Sequence, residues 1–305
     1  MFGVGIFCLV FFGNARFVGA SILQSDLNQN GILDSGEPEV VMTSSATLQA
    51  GEYNFNNFTI INNATLTLLG DPLSPDSFKG VKINAANLTI NNGSKISADQ
   101  KGYGPGFGPG APAGNQAGAS YGGVGGWGGV SIYGSATKPM DMGSGGPYTG
   151  FGGGAIFLAV SGNLINDGAI SADGGGSSSG GSIYIETNNL TGNGSLKAIG
   201  GGYSSSSVYI GQGGGGRIAI YYQTSSFTGQ TSASGGCGSL GMGYEYSCAG
   251  SGTVGFFDVA NNDFYSGPSW RFQINDAPFN LNNITGNGSK LESEDNISVN
   301  ASQLI

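Results

Sequence analysis

A block of about 22 residues recurs through the middle of this chain, and it limits the possible folds more than any other feature. Gly153–Gly175 reads GGAIFLAVSGNLINDGAISADGG, Gly180–Gly201 reads GGSIYIETNNLTGNGSLKAIGG, and Gly215–Gly236 reads GGRIAIYYQTSSFTGQTSASGG. Each block has a glycine pair, a β-like run, a polar turn, a short second run and another glycine pair. Gly80–Asp99 fits the same template, Glu52–Leu68 fits it loosely, and Gly250–Asp258 begins another copy. Within the runs, apolar residues alternate with period two: Ile156 and Leu158, Ile183 and Ile185, Ile218 and Ile220. That is strand periodicity with one buried face. The NDG, GNG and NNG triplets mark turns, because Asn and Gly tolerate positive φ.

A unit this short cannot bury its apolar face alone, so copies must stack on one another. The sequence therefore predicts an all-β fold, a parallel β-solenoid (β-helix-like) whose rungs are about 4.8 Å apart. Gly/Ser-rich stretches at 100–128, 174–181, 200–216 and 235–252 read as inserted loops extruded from one side. A β-sandwich of short strands is the competing architecture. The repeats span residues 39–263. Beyond them, 264–305 has fewer glycine pairs and more Asn, with Pro268 and Pro278 near the change, and reads as the start of a further, truncated β segment.

Composition excludes several functions. Glycine occupies 60 of 305 positions, about one in five against an ordinary share near 7%. There is no histidine, and 10 Lys+Arg stand against 19 Asp+Glu for a net charge of −9. Without histidine there are no Ser-His-Asp or Cys-His nucleophile systems and no His-ligated metal. Without a basic face there is no footprint for nucleic acid. The 13 Tyr and 17 Phe argue against a disordered low-complexity chain. Glycine also lacks the strict three-residue period of collagen.

Residues 3–13, GVGIFCLVFFG, have the length of a signal-peptide core, and Val18-Gly19-Ala20 offers a cleavage point, so 1–20 reads as a secretory signal. A buried first strand is the alternative. No other stretch is apolar enough for a transmembrane span. Removal of the signal takes Cys8 with it and leaves Cys237 and Cys248, eleven apart around a glycine-rich loop. In an oxidising compartment these two read as a disulfide, with two free thiols as the alternative.

Residues 21–38 hold the sharpest local motif. Asp26, Asn28 and Asn30 stand at positions 1, 3 and 5 of a twelve-residue calcium loop, Gly31 at the sharp turn, and Ile32 offers its carbonyl at 7. Asp34 stands at 9 and Glu37 at 12, where a bidentate carboxylate closes the shell. The expected cofactor is Ca²⁺, with an Asn/Gly-rich turn as the alternative. The loop lacks flanking helices and resembles the single calcium loops of dockerin-type and other extracellular bacterial modules.

The series ISADG, GGSIYIET, LTGNGSLKAIGGG, GGGGRIAIYY and SASGG is similar to the glycine-rich repeats of secreted and cell-surface β-solenoid proteins. The resemblance covers roughly residues 80–258. It implies an extracellular structural or adhesive role and carries over no catalytic residue.

Other readings are weaker. A polysaccharide-degrading β-helix enzyme would cluster acids on neighbouring rungs. Asp99 and Asp173 share a repeat position, but Ile199 and Ser234 replace the acid in later copies, so a turn-lining role is simpler. Gly213–Gly216 before Arg217 resembles a phosphate cradle only faintly. A glycan-binding module would use Tyr221, Tyr222, Tyr244 and Tyr246. Ten N-x-S/T triplets, headed by Asn57, Asn63, Asn87, Asn92, Asn189, Asn193, Asn283, Asn287, Asn296 and Asn300, are glycosylation acceptors only in a source with that machinery. The expectation is a secreted or cell-surface structural or adhesive module, not an enzyme, meeting extracellular glycans or other surface proteins.

Overall fold

The computed structural model describes residues 39–304, apart from 75–77, 149, 204–209, 240–245, 287–288 and 296. The expected signal segment and the calcium loop Asp26–Glu37 lie outside the described residues. What is described is almost entirely strand and turn, with one 3-10 turn at Ile274–Asp276. The all-β expectation holds.

Long and short strands alternate along the chain. The long strands are β3 (Gly51–Ile60), β5 (Val81–Ile90), β7 (Ala155–Asn166), β9 (Ser182–Thr191), β11 (Arg217–Ser225) and β15 (Thr253–Asp258), with the three-residue β1 (Val40–Met42) at the edge of their sheet. Between them lie β2 (Ala46–Leu48), β4 (Thr65–Leu68), β6 (Lys95–Ser97), β8 (Ala169–Ser171), β10 (Ser195–Lys197) and β12 (Gln230–Ser232). The long strands pair in parallel in sequence order, and the short strands form a second parallel sheet in the same order. Neither sheet closes on itself. β13 (Cys237–Ser239) and β14 (Tyr246–Cys248) form a separate antiparallel ribbon.

Register explains the repeat. Ile83, Leu158, Ile185, Ile220 and Phe256 lie side by side on successive long strands. Leu66, Ile96, Ile170 and Leu196 do the same on the short ones. Both sets point into one continuous core in which most members are fully buried. A one-residue slip would turn each row to the outside, so the alternation itself fixes the pairing.

The glycine-rich stretches differ from the expectation of extruded loops. Much of their length is buried, including Gly143–Gly146 and Gly213–Gly216, and they pack on one another largely through backbone, with the hydroxyls of Ser144, Ser178 and Ser179 accepting some of the amides. Gly102 N–H donates to Gly152 O (2.7 Å), Gly143 to Gly153 (2.8 Å), Gly180 to Gly214 (3.0 Å) and Gly215 to Gly250 (2.9 Å). Buried backbone groups must be paired, and here neighbouring glycine segments pair them. A methyl on Gly201 would run into the Gly175 carbonyl, and one on Gly216 into that of Gly181. Glycine is therefore used for close approach, and it builds a third, glycine-rich layer beside the two sheets, in which the buried side chains of Tyr121, Ser144, Gln212 and Arg217 are set.

At the C-terminal end the chain reverses. β15 turns at Asp258–Asp263 and pairs antiparallel with β16 (Asp263–Ser266). The strands β16, β18 (Phe279–Thr285) and β20 (Val299–Leu304) then continue the first sheet in parallel with one another. β17 (Ser269–Phe272) and β19 (Lys290–Ser293) form a small parallel pair beside them. Phe264, Trp270, Phe272 and Phe279 from this segment close over Phe157, Tyr184 and Phe257 on the outer face of the long strands, making a second apolar core. Trp270 and Phe264 are essentially fully buried there.

Candidate functional site

The residues singled out from the sequence have separate fates. Cys237 and Cys248 stand opposite each other across the β13–β14 ribbon and are joined by a disulfide. Asp99 and Asp173 do fall on neighbouring rungs, and both carboxylates are engaged there. Asp99 accepts from the Asp173 N–H (2.8 Å) and from Lys95 Nζ (2.6 Å), while Asp173 accepts from the Ile199 N–H (2.7 Å). Burial works to raise the Asp99 carboxyl, but the Lys95 and Asp173 hydrogen bonds outweigh it and hold the group below its ordinary value. Asp173 has fewer partners, so burial, assisted by the nearby Asp99 charge, pushes it up. The turn-lining reading describes both.

Gly213–Gly216 is not a phosphate cradle. Its four amides donate to the carbonyls of Gly201, Ala119, Gly250 and Ala198, leaving none to face an anion. Arg217 beyond it is fully buried. Its guanidinium reaches Tyr133 O (2.7 Å) and Gln273 Oε1 (2.7 Å) and stacks 5.3 Å from the Tyr121 ring centre, so it ties the glycine layer to the C-terminal segment. Burial lowers its pKa. Nearby, Asp276 accepts from the Ala136 N–H (2.9 Å) and Thr137 Oγ1 (3.0 Å), and also from Ser135, which closes a second clamp.

Those of the four tyrosines that lie among the described residues do not make a row. Tyr221 and Tyr222 are consecutive in a strand, so they point to opposite faces. Tyr222 is buried with the inner core, Tyr221 lies on the outer face, and Tyr246 stands 72% exposed on the disulfide ribbon. Tyr244 lies outside the described residues.

Three of the N-x-S/T asparagines form part of a ladder. Asn87 Nδ2 donates to Asn57 Oδ1 (2.8 Å), and Asn163 donates to Asn87 Oδ1 from its backbone N–H (2.9 Å). Asn189 Nδ2 donates to Asn163 Oδ1 (3.0 Å), and Thr224 Oγ1 to Asn189 Oδ1 (3.0 Å). The ladder gives these asparagines a structural use apart from glycosylation.

The outer face of β3, β5, β7, β9 and β11 carries an open groove of about 1170 Å³. Parallel register builds its floor: Asn54, Asn84, Ala159, Glu186 and Tyr221 share one row. Beside it, at the next outward positions, lie Asn56, Ala86, Ser161, Asn188 and Gln223. Between Val160 and Leu164, β7 carries one residue more than β5 does between Ala85 and Leu88, a bulge that breaks the flat ladder beside the groove. Thr137 and Lys138 from the segment above form a wall.

Several groups here are held in place. Asn84 Nδ2 donates to Asn54 Oδ1 (2.8 Å) and Glu52 Oε1 (2.6 Å), and Asn188 Nδ2 donates to Ser161 O (2.5 Å). Tyr184 donates its hydroxyl to Glu186. Tyr221 donates to Thr137 O (2.9 Å), while its ring stacks on Phe257 with centres 4.4 Å apart. Burial raises both tyrosines above their ordinary pKa, so each stays a neutral phenol. The groove thus combines amides, one carboxylate, one amine and aromatic edges, a set able to hydrogen-bond and stack. Sequence reasoning missed it because its rows join residues from five separate runs. The only available signal was the recurrence of Asn at matched positions, as in Asn54 and Asn84.

Among the described residues, no group of His, Cys, Asp and Glu is arranged to hold a metal ion. No helix among them is long and apolar enough to cross a membrane. No family model, curated protein or solved structure matches the chain.

Proposed function

We propose that this chain is a secreted or cell-surface structural and adhesive module. In this reading it is a parallel β-solenoid with a glycine-packed third side, stabilised at its N-terminal end by calcium. The observation that carries it is how the side chains are spent. Apolar rows fill one core in register, Asn and Asp ladders tie rung to rung, and buried glycine amides bond to one another. Such a body resists local opening and offers long, regular faces, which suits a scaffold. The Cys237–Cys248 disulfide fits an oxidising compartment. Calcium would be held by Asp26, Asn28, Asn30, Asp34 and Glu37 with the Ile32 carbonyl. The partners are extracellular glycans or other surface proteins.

Expression of the whole chain in a secreting host tests this. The product should leave the cell trimmed near Ala20, and millimolar calcium should raise its thermal midpoint. Glu37→Gln should abolish most of that rise. Retention inside the cell with Cys237 and Cys248 reduced, or a midpoint indifferent to calcium, would refute the corresponding half of the reading.

A further inference from the structure

We propose that the groove over β3–β11 is a binding site for an extended, uncharged polysaccharide, which names the ligand of the adhesive module and rests on that reading. The argument starts from the floor. Successive rungs present equivalent positions about 4.8 Å apart, close to the length of one hexose in an extended chain. A floor with that spacing therefore meets a repeating ligand in register. Asn54, Asn84 and Glu186 lie in one such row.

The chemistry of the row selects the ligand. Amides and a carboxylate offer both donors and acceptors, which is what sugar hydroxyls require. The Asn84 amide is fixed by Asn54 and Glu52, and the Glu186 carboxylate by Tyr184, so little side-chain entropy remains to be lost on binding. Tyr221, half-buried, stacked on Phe257 and anchored through Thr137, adds a fixed aromatic edge and hydroxyl to the floor.

Charge excludes the acidic alternatives. Lys138 and Glu186 offset each other within the groove, and the whole chain carries −9, so a polyanion is repelled rather than gathered. A peptide adding as a strand needs a sheet edge. This groove lies on a sheet face whose backbone groups are already paired between rungs.

Affinity electrophoresis tests the site with the secreted full-length protein, using gels that contain galactomannan, mixed-linkage β-glucan, xyloglucan, polygalacturonate or alginate. At least one neutral polymer should retard the wild type, and neither acidic polymer should. Ala86→Trp fills the groove from the row beside the floor, and Asn188→Ala with Gln223→Ala strips polar groups from that same row. Each should weaken retardation at least tenfold while thermal midpoint and circular dichroism stay unchanged. Tyr246→Ala, on the distant ribbon, should bind as wild type. Retardation only by acidic polymers, or equal retardation of wild type and Ala86→Trp, would overturn the proposal. A folded, secreted chain that no polymer retards would also overturn it while leaving the scaffold reading intact.

Discussion

Replacing Gly201 with Ala adds one methyl group and separates a packed glycine layer from flexible glycine loops. In a flexible loop, Gly→Ala stabilises by about 0.4–1 kcal/mol, because the unfolded chain loses freedom. Here the new Cβ would meet the Gly175 carbonyl and the Gly176 nitrogen, which are backbone atoms of the neighbouring segment. They cannot swing aside without disturbing the Gly201 N–H to Ser178 O bond (2.7 Å) and the Gly213 N–H to Gly201 O bond (3.0 Å). Overpacking of this kind costs about 1–3 kcal/mol. At about 2–4 °C per kcal/mol for a large domain, the midpoint should fall by roughly 2–12 °C. Gly114 is the internal control: it is exposed, and a methyl there meets nothing within 4 Å. Gly114→Ala should match or slightly exceed the wild type in differential scanning calorimetry. Equal midpoints for Gly201→Ala and Gly114→Ala would refute the packed-layer account.

Three other changes probe separate parts of the molecule. Cys237→Ser with Cys248→Ser opens an eleven-residue separation and should cost about 3 kcal/mol in denaturant titration on the chain-entropy estimate. Arg217→Met strands Tyr133 O and Gln273 Oε1 in the interior. It should lower stability by at least about 3 kcal/mol, whereas a surface change such as Lys138→Met should not. The Asp173 carboxyl is raised in the folded state, so folding favours its protonated form, and that advantage is lost as pH rises through the folded value. Asp173→Asn keeps an acceptor for the Ile199 N–H and removes the buried charge. It should raise the thermal midpoint at pH 7 but not at pH 3; a gain of equal size at both would show that charge is not the cause.

How much of this was legible in the sequence depends on distance along the chain. Period-two alternation in Ile183 and Ile185 or Ile218 and Ile220 is local, so the strands and their inward faces could be read directly. Equal unit lengths implied that copies pair, and the register of Leu158 with Ile185 and Ile220 follows. The role of the glycines was not legible. A glycine needed for a turn and a glycine needed for contact look alike until the opposing backbone is known, as at Gly216 against Gly181. The reversal at Asp258–Asp263 also escaped, since a tight turn between two apolar runs does not announce the direction of pairing. The Asp276 clamp joins residues about 140 positions apart, beyond any local pattern.

Cross-linking of paired cysteines tests the parallel stacking most directly. Glu52 lies beside Lys82 and Thr59 beside Thr89 in the β3–β5 register, and all four side chains lie outside the core. On oxidation, Glu52→Cys with Lys82→Cys, and Thr59→Cys with Thr89→Cys, should each form an intramolecular disulfide in high yield, since neighbouring rungs bring the Cα atoms within bridging distance. Glu52→Cys with Thr89→Cys should not, because parallel strands hold those positions at opposite ends. Efficient bridging of that third pair, with failure of the first two, is the result an antiparallel sandwich would give, and it would contradict the account.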